Sequence, residues 1–162
     1  MPRIYLSIGS NIDREQSVSR AVEQLREDFG GLTVSTVYES EAVGFDGDAF
    51  YNLVVGFDSE MGLNEIQQQL RTIETENGRE RGAEKFNPRT LDLDLLLYGD
   101  LDLQDRGVDI PRAEIFRYAF VLRPLSEIAG NERHPQTGEQ YSTIWDGFDH
   151  SSQPLWPAPL QF

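Results

Sequence analysis

Residues 87 to 99 read Asn-Pro-Arg-Thr-Leu-Asp-Leu-Asp-Leu-Leu-Leu-Tyr-Gly. Leucines alternate with acids in the middle of this segment, which predicts a β-strand over residues 91 to 98. Because successive side chains of a strand point to opposite faces, Asp92 and Asp94 share one face and the leucines occupy the other. A slip of one residue in the pairing of this strand would bury both carboxylates, so the segment fixes the register of the sheet that contains it.

Asp92 and Asp94 are candidate ligands for a pair of divalent cations. Alternate residues of a strand lie about 6.6 Å apart, and two metal ions bridged by a phosphate lie roughly 3.5–4 Å apart, so two converging carboxylates can bracket such a pair. An isolated Asp-x-Asp pattern would be better explained as the solvent face of an edge strand. The neighbouring basic residues favour a metal-bound polyphosphate instead, because phosphates attract cations. These residues are Arg79, Arg81, Lys85 and Arg89.

The composition limits the other kinds of site that the chain can carry. Its 162 residues are expected to form one domain over residues 1–162. With 28 acidic against 14 basic residues and a net charge of -14, the chain does not suit a nucleic-acid binder with a broad basic face. The lack of cysteine excludes a disulfide framework, a thiolate nucleophile and Cys-ligated zinc. No long apolar segment is present, and we expect a cytoplasmic monomer without membrane contact.

The hydrophobic periodicity predicts six elements in the order βαββαβ. Strands are expected at residues 4 to 8, 32 to 38, 50 to 57 and 91 to 98, and helices at residues 18 to 25 and 62 to 77. This order is typical of a ferredoxin-like α+β domain, which has a mainly antiparallel sheet, here in three α-β-α layers.

The residues beyond this core carry weaker signals. We expect a bent or broken helix around Pro124, because proline removes a helical hydrogen bond. The tail from Gln153 contains several prolines and is expected to lack regular structure. His134 and His150 lie in polar stretches and are expected on the surface.

Four segments of the chain together resemble a known enzyme family. They are Gly9-Ser10-Asn11, Phe50-Tyr51-Asn52, Asn87-Pro88-Arg89-Thr90-Leu91-Asp92-Leu93-Asp94 and Ala119-Phe120-Val121-Leu122-Arg123-Pro124-Leu125-Ser126-Glu127-Ile128-Ala129. In this order and spacing they are similar to the 6-hydroxymethyl-7,8-dihydropterin pyrophosphokinases of folate biosynthesis. The resemblance implies a transfer of pyrophosphate from ATP to the hydroxymethyl oxygen of the pterin, which leaves AMP.

The resemblance also implies roles for individual residues. Asp92 and Asp94 match the ligands of two Mg²⁺ ions that bridge the triphosphate of ATP, and Asn52 matches the amide that recognises the pterin. Positions in or beside the pterin pocket correspond to Ser40, Val43, Phe50, Asn52 and Phe120. Positions of the nucleotide site and the catalytic loop correspond to Glu74, Arg79, Arg81, Phe86 and Arg89. Without the resemblance, core packing would be the simpler explanation for Phe50 and Phe120.

The chain departs from the family pattern at positions that serve ATP. Arg112 stands where the family usually has a histidine, and Tyr118 stands where an arginine is expected. Gly82 and Gly107 occupy positions that are usually basic. We therefore predict that Arg112 contacts the nucleotide and partly restores the charge that is lost at Tyr118.

Two alternatives to the enzyme remain open at this point. One is a divergent paralogue that acts on another pterin, and the other is a pterin- or nucleotide-binding module without turnover. A third class, an RNA-binding ferredoxin-like module, is disfavoured by the acidity of the chain and by the lack of a basic, aromatic RNA-binding signature.

Overall fold

The computed structural model describes residues 1–42, 47–78 and 91–162 of the protein. The strands are β1 (Arg3–Ser10), β2 (Thr33–Val34), β3 (Tyr38–Ser40), β4 (Phe50–Asp58), β5 (Asp92–Tyr98) and β6 (Trp156–Pro157). The helices are α1 (Arg14–Phe29), α2 (Leu63–Glu76), α3 (Ala119–Ala129) and α4 (Tyr141–Asp146), with short 3-10 turns at Gln104–Arg106 and Ala113–Phe116. None of the helices in these three ranges combines the length and the apolar character needed to cross a bilayer.

The strands form one sheet with the order β5-β1-β4-β3-β6, and β2 also pairs with β4. Every pairing in this sheet is antiparallel. The strand β1 lies between β5 and β4, and β4 lies between β1 and β3, which is the arrangement of a ferredoxin-like domain. The predicted α+β fold is therefore confirmed.

Alternation along the strands divides the core into two halves. Leu6, Leu53 and Leu93 belong to the cluster that faces α1 and α2. Tyr5 and Val54 belong to a second cluster, which lies against α3 and α4 on the other face of the sheet. These clusters give the three layers that the sequence predicts.

The register of β5 follows the predicted alternation of leucine and aspartate. Leu91, Leu93 and Leu95 are buried in the α1 and α2 side of the core. Asp92 and Asp94 are intermediate in exposure and point to the opposite face, where α3 lies. Burial of the leucines thus fixes which way the two carboxylates point.

One continuous strand was predicted over residues 32 to 38. This prediction is wrong, because the structure has two short strands, β2 and β3, separated by residues 35 to 37. Between them, the Ser35 backbone N–H donates to the Val54 carbonyl at 3.0 Å. The hydroxyl of Ser35 accepts a bond of 2.9 Å from the Val54 N–H and donates to the Thr36 carbonyl. A side-chain oxygen thus occupies a position that a backbone carbonyl would have in a regular ladder.

Three expectations for the C-terminal part are also corrected. The helix predicted around Pro124 is not broken there, because α3 runs from Ala119 to Ala129 with the proline as a buried residue inside it. The tail contains the strand β6, which pairs with β3. His134 is buried beside the rings of Phe116 and Tyr141, and burial lowers its pKa.

His150 is exposed, as predicted, and its ring stacks on Trp145 with a centroid distance of 4.8 Å.

Gly56 of β4 provides a test of the packing on the α3 face. A Cβ atom at this position would lie 2.6 Å from Cε1 of Tyr5, whose ring covers the glycine from β1. We expect Gly56→Ala to lower the free energy of unfolding by about 1–3 kcal/mol, the usual cost of overpacking a core. Urea denaturation measures this change. Gly31→Ala is the matched control, since a Cβ at Gly31 would meet no atom within 4 Å. Equal stability of the two variants would contradict the assigned packing.

Candidate active site

A pocket opens on the α3 face of the sheet, beside the first turn of α3. Six residues that the sequence analysis selected line it together: Ser40, Phe50, Asn52, Asp92, Asp94 and Phe120. They come from β3, β4, β5 and α3, so the pocket depends on the whole antiparallel sheet and on the helix that covers it.

The central strand β1 places the amide and the acids next to each other. Gly9 is the register partner of Asn52 in β4 and of Asp92 in β5. A Cβ atom at Gly9 would lie 3.2 Å from Oδ1 of Asn52, so the glycine leaves room for this amide. The neighbouring strands β4 and β5 therefore place the amide of Asn52 and the carboxylate of Asp92 on either side of Gly9, which has no side chain.

Asn52 is held in a fixed orientation within the pocket. It is buried, and its Nδ2 donates a hydrogen bond of 2.7 Å to Oγ of Ser40. Phe50 and Phe120 add aromatic surface, and the Phe120 ring stacks on Tyr118 with a centroid distance of 4.9 Å. Aromatic faces with one oriented amide suit a planar heterocycle that has polar groups along its edge.

The acidic end of the pocket is linked through Arg112. Its Nη2 lies 3.3 Å from Oδ1 of Asp94 and 3.3 Å from Oε1 of Glu114, which is itself buried. Nε of Arg112 is also buried and has no hydrogen-bond partner within the three described ranges. This partly exposed guanidinium therefore contacts two carboxylates, and its buried Nε–H is an unsatisfied donor in the described part of the chain.

A second pocket lies along β5 and shares Asp94 with the first. Glu74 of α2 and Arg112 both line it, so the structure brings together the two described residues that were predicted for the nucleotide. The buried Glu74 also has a structural contact, because its Oε2 accepts a hydrogen bond of 2.9 Å from the Leu93 backbone N–H. Two pockets that meet at one carboxylate can hold two ligands with their reacting groups close together.

Comparison with known proteins identifies the family of this chain. A family model described as 7,8-dihydro-6-hydroxymethylpterin-pyrophosphokinase (HPPK) matches residues 5–130. The chain belongs to the HPPK family. The family prediction made from the sequence is confirmed, and so is the enzyme class that it implies, because curated relatives are named as pyrophosphokinases.

Relatives of similar length match most of the chain. The 2-amino-4-hydroxy-6-hydroxymethyldihydropteridine pyrophosphokinase of Aquifex aeolicus is 34% identical over 137 residues, covering 83% of this chain and 85% of that protein. The protein of the same name from Pseudomonas aeruginosa is 35% identical over 138 residues, covering 82% and 84%.

Other matches are longer proteins. The chain covers only 21% of the folic acid synthesis protein fol1 of Pneumocystis carinii, at 32% identity over 158 residues. A solved HPPK-DHPS structure from Plasmodium falciparum has a TM-score of 0.67 at 11% identity, covering 90% of this chain and 43% of that one. At this identity the likeness shows the fold alone.

Part of the predicted site falls in the gaps between the described ranges. Val43, Arg79, Arg81, Phe86 and Arg89 lie outside the described residues, and so does Gly82. Their roles stay predictions.

The other departures from the HPPK pattern lie in described regions. Tyr118 precedes α3 and packs on Phe120, while Gly107 has a positive φ of 77° after the first 3-10 turn. Neither residue supplies a charge. Arg112, by contrast, places a cation beside Asp94 and Glu114.

Five residues that line the first pocket were not predicted from the sequence as site residues: Ser7, Ile8, Gly9, Glu41 and Glu114. Ser7 and Gly9 could have been found from strand periodicity, because they alternate along β1 on the face that Tyr5 occupies. Glu114 gives no such signal, since the sequence does not show that its carboxylate is buried beside Arg112.

Glu74 allows its structural contact to be measured separately from ligand binding. We expect Glu74→Ala to lower the free energy of unfolding without ligand by about 1–3 kcal/mol, because the buried Leu93 N–H loses its acceptor. Glu74→Gln keeps a carbonyl oxygen and should retain most of this stability. Chemical denaturation measures both variants, and Glu76→Ala, an exposed position on the same helix, is the control. If Glu74→Ala is as stable as the control, the contact with Leu93 does not stabilise β5.

Proposed function

We propose that this chain transfers pyrophosphate from ATP to the hydroxymethyl group of 6-hydroxymethyl-7,8-dihydropterin, releasing AMP, in the presence of Mg²⁺. The observation that carries the proposal is the meeting of two pockets at Asp94. The first offers aromatic faces and the oriented amide of Asn52, and the second offers Glu74 and Arg112. Membership of the HPPK family supports the same reaction.

The first pocket suits the pterin on chemical grounds. Phe50 and Phe120 can cover the faces of a flat bicyclic ring. The amide of Asn52 can donate to and accept from the ring edge, and its bond to Ser40 holds it in one orientation. A pterin bound in this way would direct its hydroxymethyl group toward the carboxylates at the other end of the pocket.

Asp92 and Asp94 are the residues that would hold magnesium. Carboxylate oxygens are the ligands that this ion prefers, and it is usually bound by one or two carboxylates together with substrate phosphates and water. No group of three or more His, Cys, Asp or Glu side chains suited to a metal occurs in residues 1–42, 47–78 and 91–162. Phosphate oxygens and water would complete the coordination, as is usual for this ion. Bound magnesium would neutralise the triphosphate and orient it for displacement.

The protein would contribute positioning and charge to the reaction. The pterin oxygen forms a bond to the β-phosphorus while the bond from that phosphorus to the α-phosphate oxygen breaks, so that AMP leaves. Asp92 can accept the proton that the hydroxyl group loses. Arg112 can stabilise negative charge on the phosphates, because its guanidinium lines the second pocket and contacts Asp94, the residue that both pockets share.

One observation favours a second candidate, a binding module without turnover. The guanidinium of Arg112 already contacts both Asp94 and Glu114, so part of its charge is used within the protein. Incubation with ATP, Mg²⁺ and the dihydropterin separates the two functions. Formation of AMP and the pterin pyrophosphate supports the enzyme, and tight pterin binding without AMP supports the module.

Replacing either aspartate tests the proposed metal ligands. We expect Asp92→Asn and Asp94→Asn each to reduce AMP formation to background, because an amide is a poor substitute for an anionic metal ligand. Circular dichroism should show a retained fold, since both side chains lie on a partly exposed face of β5. Asp100→Asn is a matched control, because this exposed acid follows the same strand. Activity near that of the wild type in either variant would exclude the assignment.

Arg112→Ala tests whether this arginine replaces the cation that is missing at Tyr118. We expect kcat/KM for ATP to fall by on the order of a hundredfold, which corresponds to a charge-assisted contact of roughly 1.5–3 kcal/mol. Steady-state kinetics with varied ATP measure the change, and Arg106→Ala at an exposed position is the control. Unchanged ATP kinetics in Arg112→Ala would show that Arg112 serves the fold and not the nucleotide.

A further inference from the structure

A further compartment adjoins the proposed pterin pocket. The two share Ser40, Glu41 and Phe120. The rest of its lining comes from Ala42 and from the C-terminal segment of residues 152–155. This segment lies beyond residues 5–130, the part of the chain that matches the family model.

Gln153 attaches the C-terminal segment to the start of α3. Its Oε1 accepts a hydrogen bond of 2.9 Å from the Ala119 backbone N–H, and its Nε2 donates one of 3.1 Å to the Arg117 carbonyl. The first N–H groups of a helix have no partner within the helix, and the N-cap residue Tyr118 makes no side-chain cap bond. Gln153 therefore caps α3 from a distant part of the chain.

The same C-terminal segment is also attached to the opposite side of the pocket. Trp156 and Pro157 pair with Glu39 and Tyr38 of β3, and the Ala158 N–H donates to the Val37 carbonyl at 2.8 Å. The strand β3 ends at Ser40, the hydroxyl partner of Asn52. The segment therefore connects the strand that orients the amide with the helix turn that carries Phe120.

We infer that residues 152–157 form an outer wall of the pterin site, and that Gln153 is a positioning residue for Phe120. The inference rests on the proposed function, since it assigns the wall to the same pocket. Phe120 follows Ala119 directly, so a fixed Ala119 N–H fixes the backbone from which the aromatic ring projects. Loss of both bonds from Gln153 would let this turn fray and would widen the pocket at Phe120.

The test compares Gln153→Ala with Gln153→Glu in the full chain. The alanine variant loses both bonds, whereas the glutamate variant keeps an acceptor for Ala119 and loses the donor to Arg117. Calorimetry with 6-hydroxymethyl-7,8-dihydropterin should give a Kd about tenfold higher for Gln153→Ala and an intermediate Kd for Gln153→Glu. The Kd of Gln153→Ala for a non-hydrolysable ATP analogue with Mg²⁺ should stay within about twofold of the wild-type value, because Gln153 does not line the second pocket.

Hydrogen exchange gives a second readout that does not depend on any ligand. In Gln153→Ala the amide of Ala119 should exchange faster, while the amides of β1 keep their protection. Gln136→Ala is the matched control, since this glutamine donates to Asp102 and does not line the pocket. Gln136→Ala should change neither the Kd for the pterin nor the Kd for the ATP analogue.

The possible outcomes separate this inference from the proposed function. A selective loss of pterin affinity together with faster exchange at Ala119 supports the positioning role. Unchanged pterin affinity in Gln153→Ala overturns it, and so does an equal loss of pterin and ATP affinity, which would indicate a general structural role. If the wild-type protein neither binds the pterin nor forms AMP, the proposed function fails, and the assignment of the wall to a pterin site fails with it.

Discussion

The pairing of β1 on both of its sides is the constraint on which the site depends. Its residues pair from Arg3 to Ser10 with β4 and from Ile4 to Gly9 with β5, so one strand sets the register of both neighbours. The apolar side chains of all three strands then lie in two buried clusters. Because a slip of one residue would exchange the two faces, the hydrophobic core determines that the amide and the aspartates face one pocket.

The acidic charge of the first pocket is offset in part by one arginine. The protein has a net charge of -14, and four of its acids belong to the lining of this pocket: Glu41, Asp92, Asp94 and Glu114. Arg112 contacts two of these acids, Asp94 and Glu114, and lines the second pocket. Such a local arrangement allows an acidic protein to bind anionic ligands, since attraction at a few ångströms is weakened by salt much less than the field of distant charges.

Local sequence patterns made the main strands and helices of this protein predictable. Features that depend on contacts between separate segments were not predictable. The alternation of leucine and aspartate predicted β5 and the faces on which its side chains lie, because side chains alternate between the two faces of every strand. The family resemblance selected Asn52 and Phe120, which the structure brings into one pocket. The burial of His134 and the break at Ser35 depend on partners far away in the sequence. Neither could be inferred from neighbouring residues.

The two outer strands of the sheet bear on how the protein behaves at high concentration. An open strand offers N–H and C=O groups to other chains and so promotes aggregation. At one end of the sheet, the N–H of Leu93 in β5 is already bonded to Glu74. At the other end, β6 has only two residues, and one of them, Pro157, has no N–H to donate. Glu74, which lines the second pocket, therefore also protects one edge of the sheet against strand addition by a neighbouring molecule, and Pro157 protects the other edge.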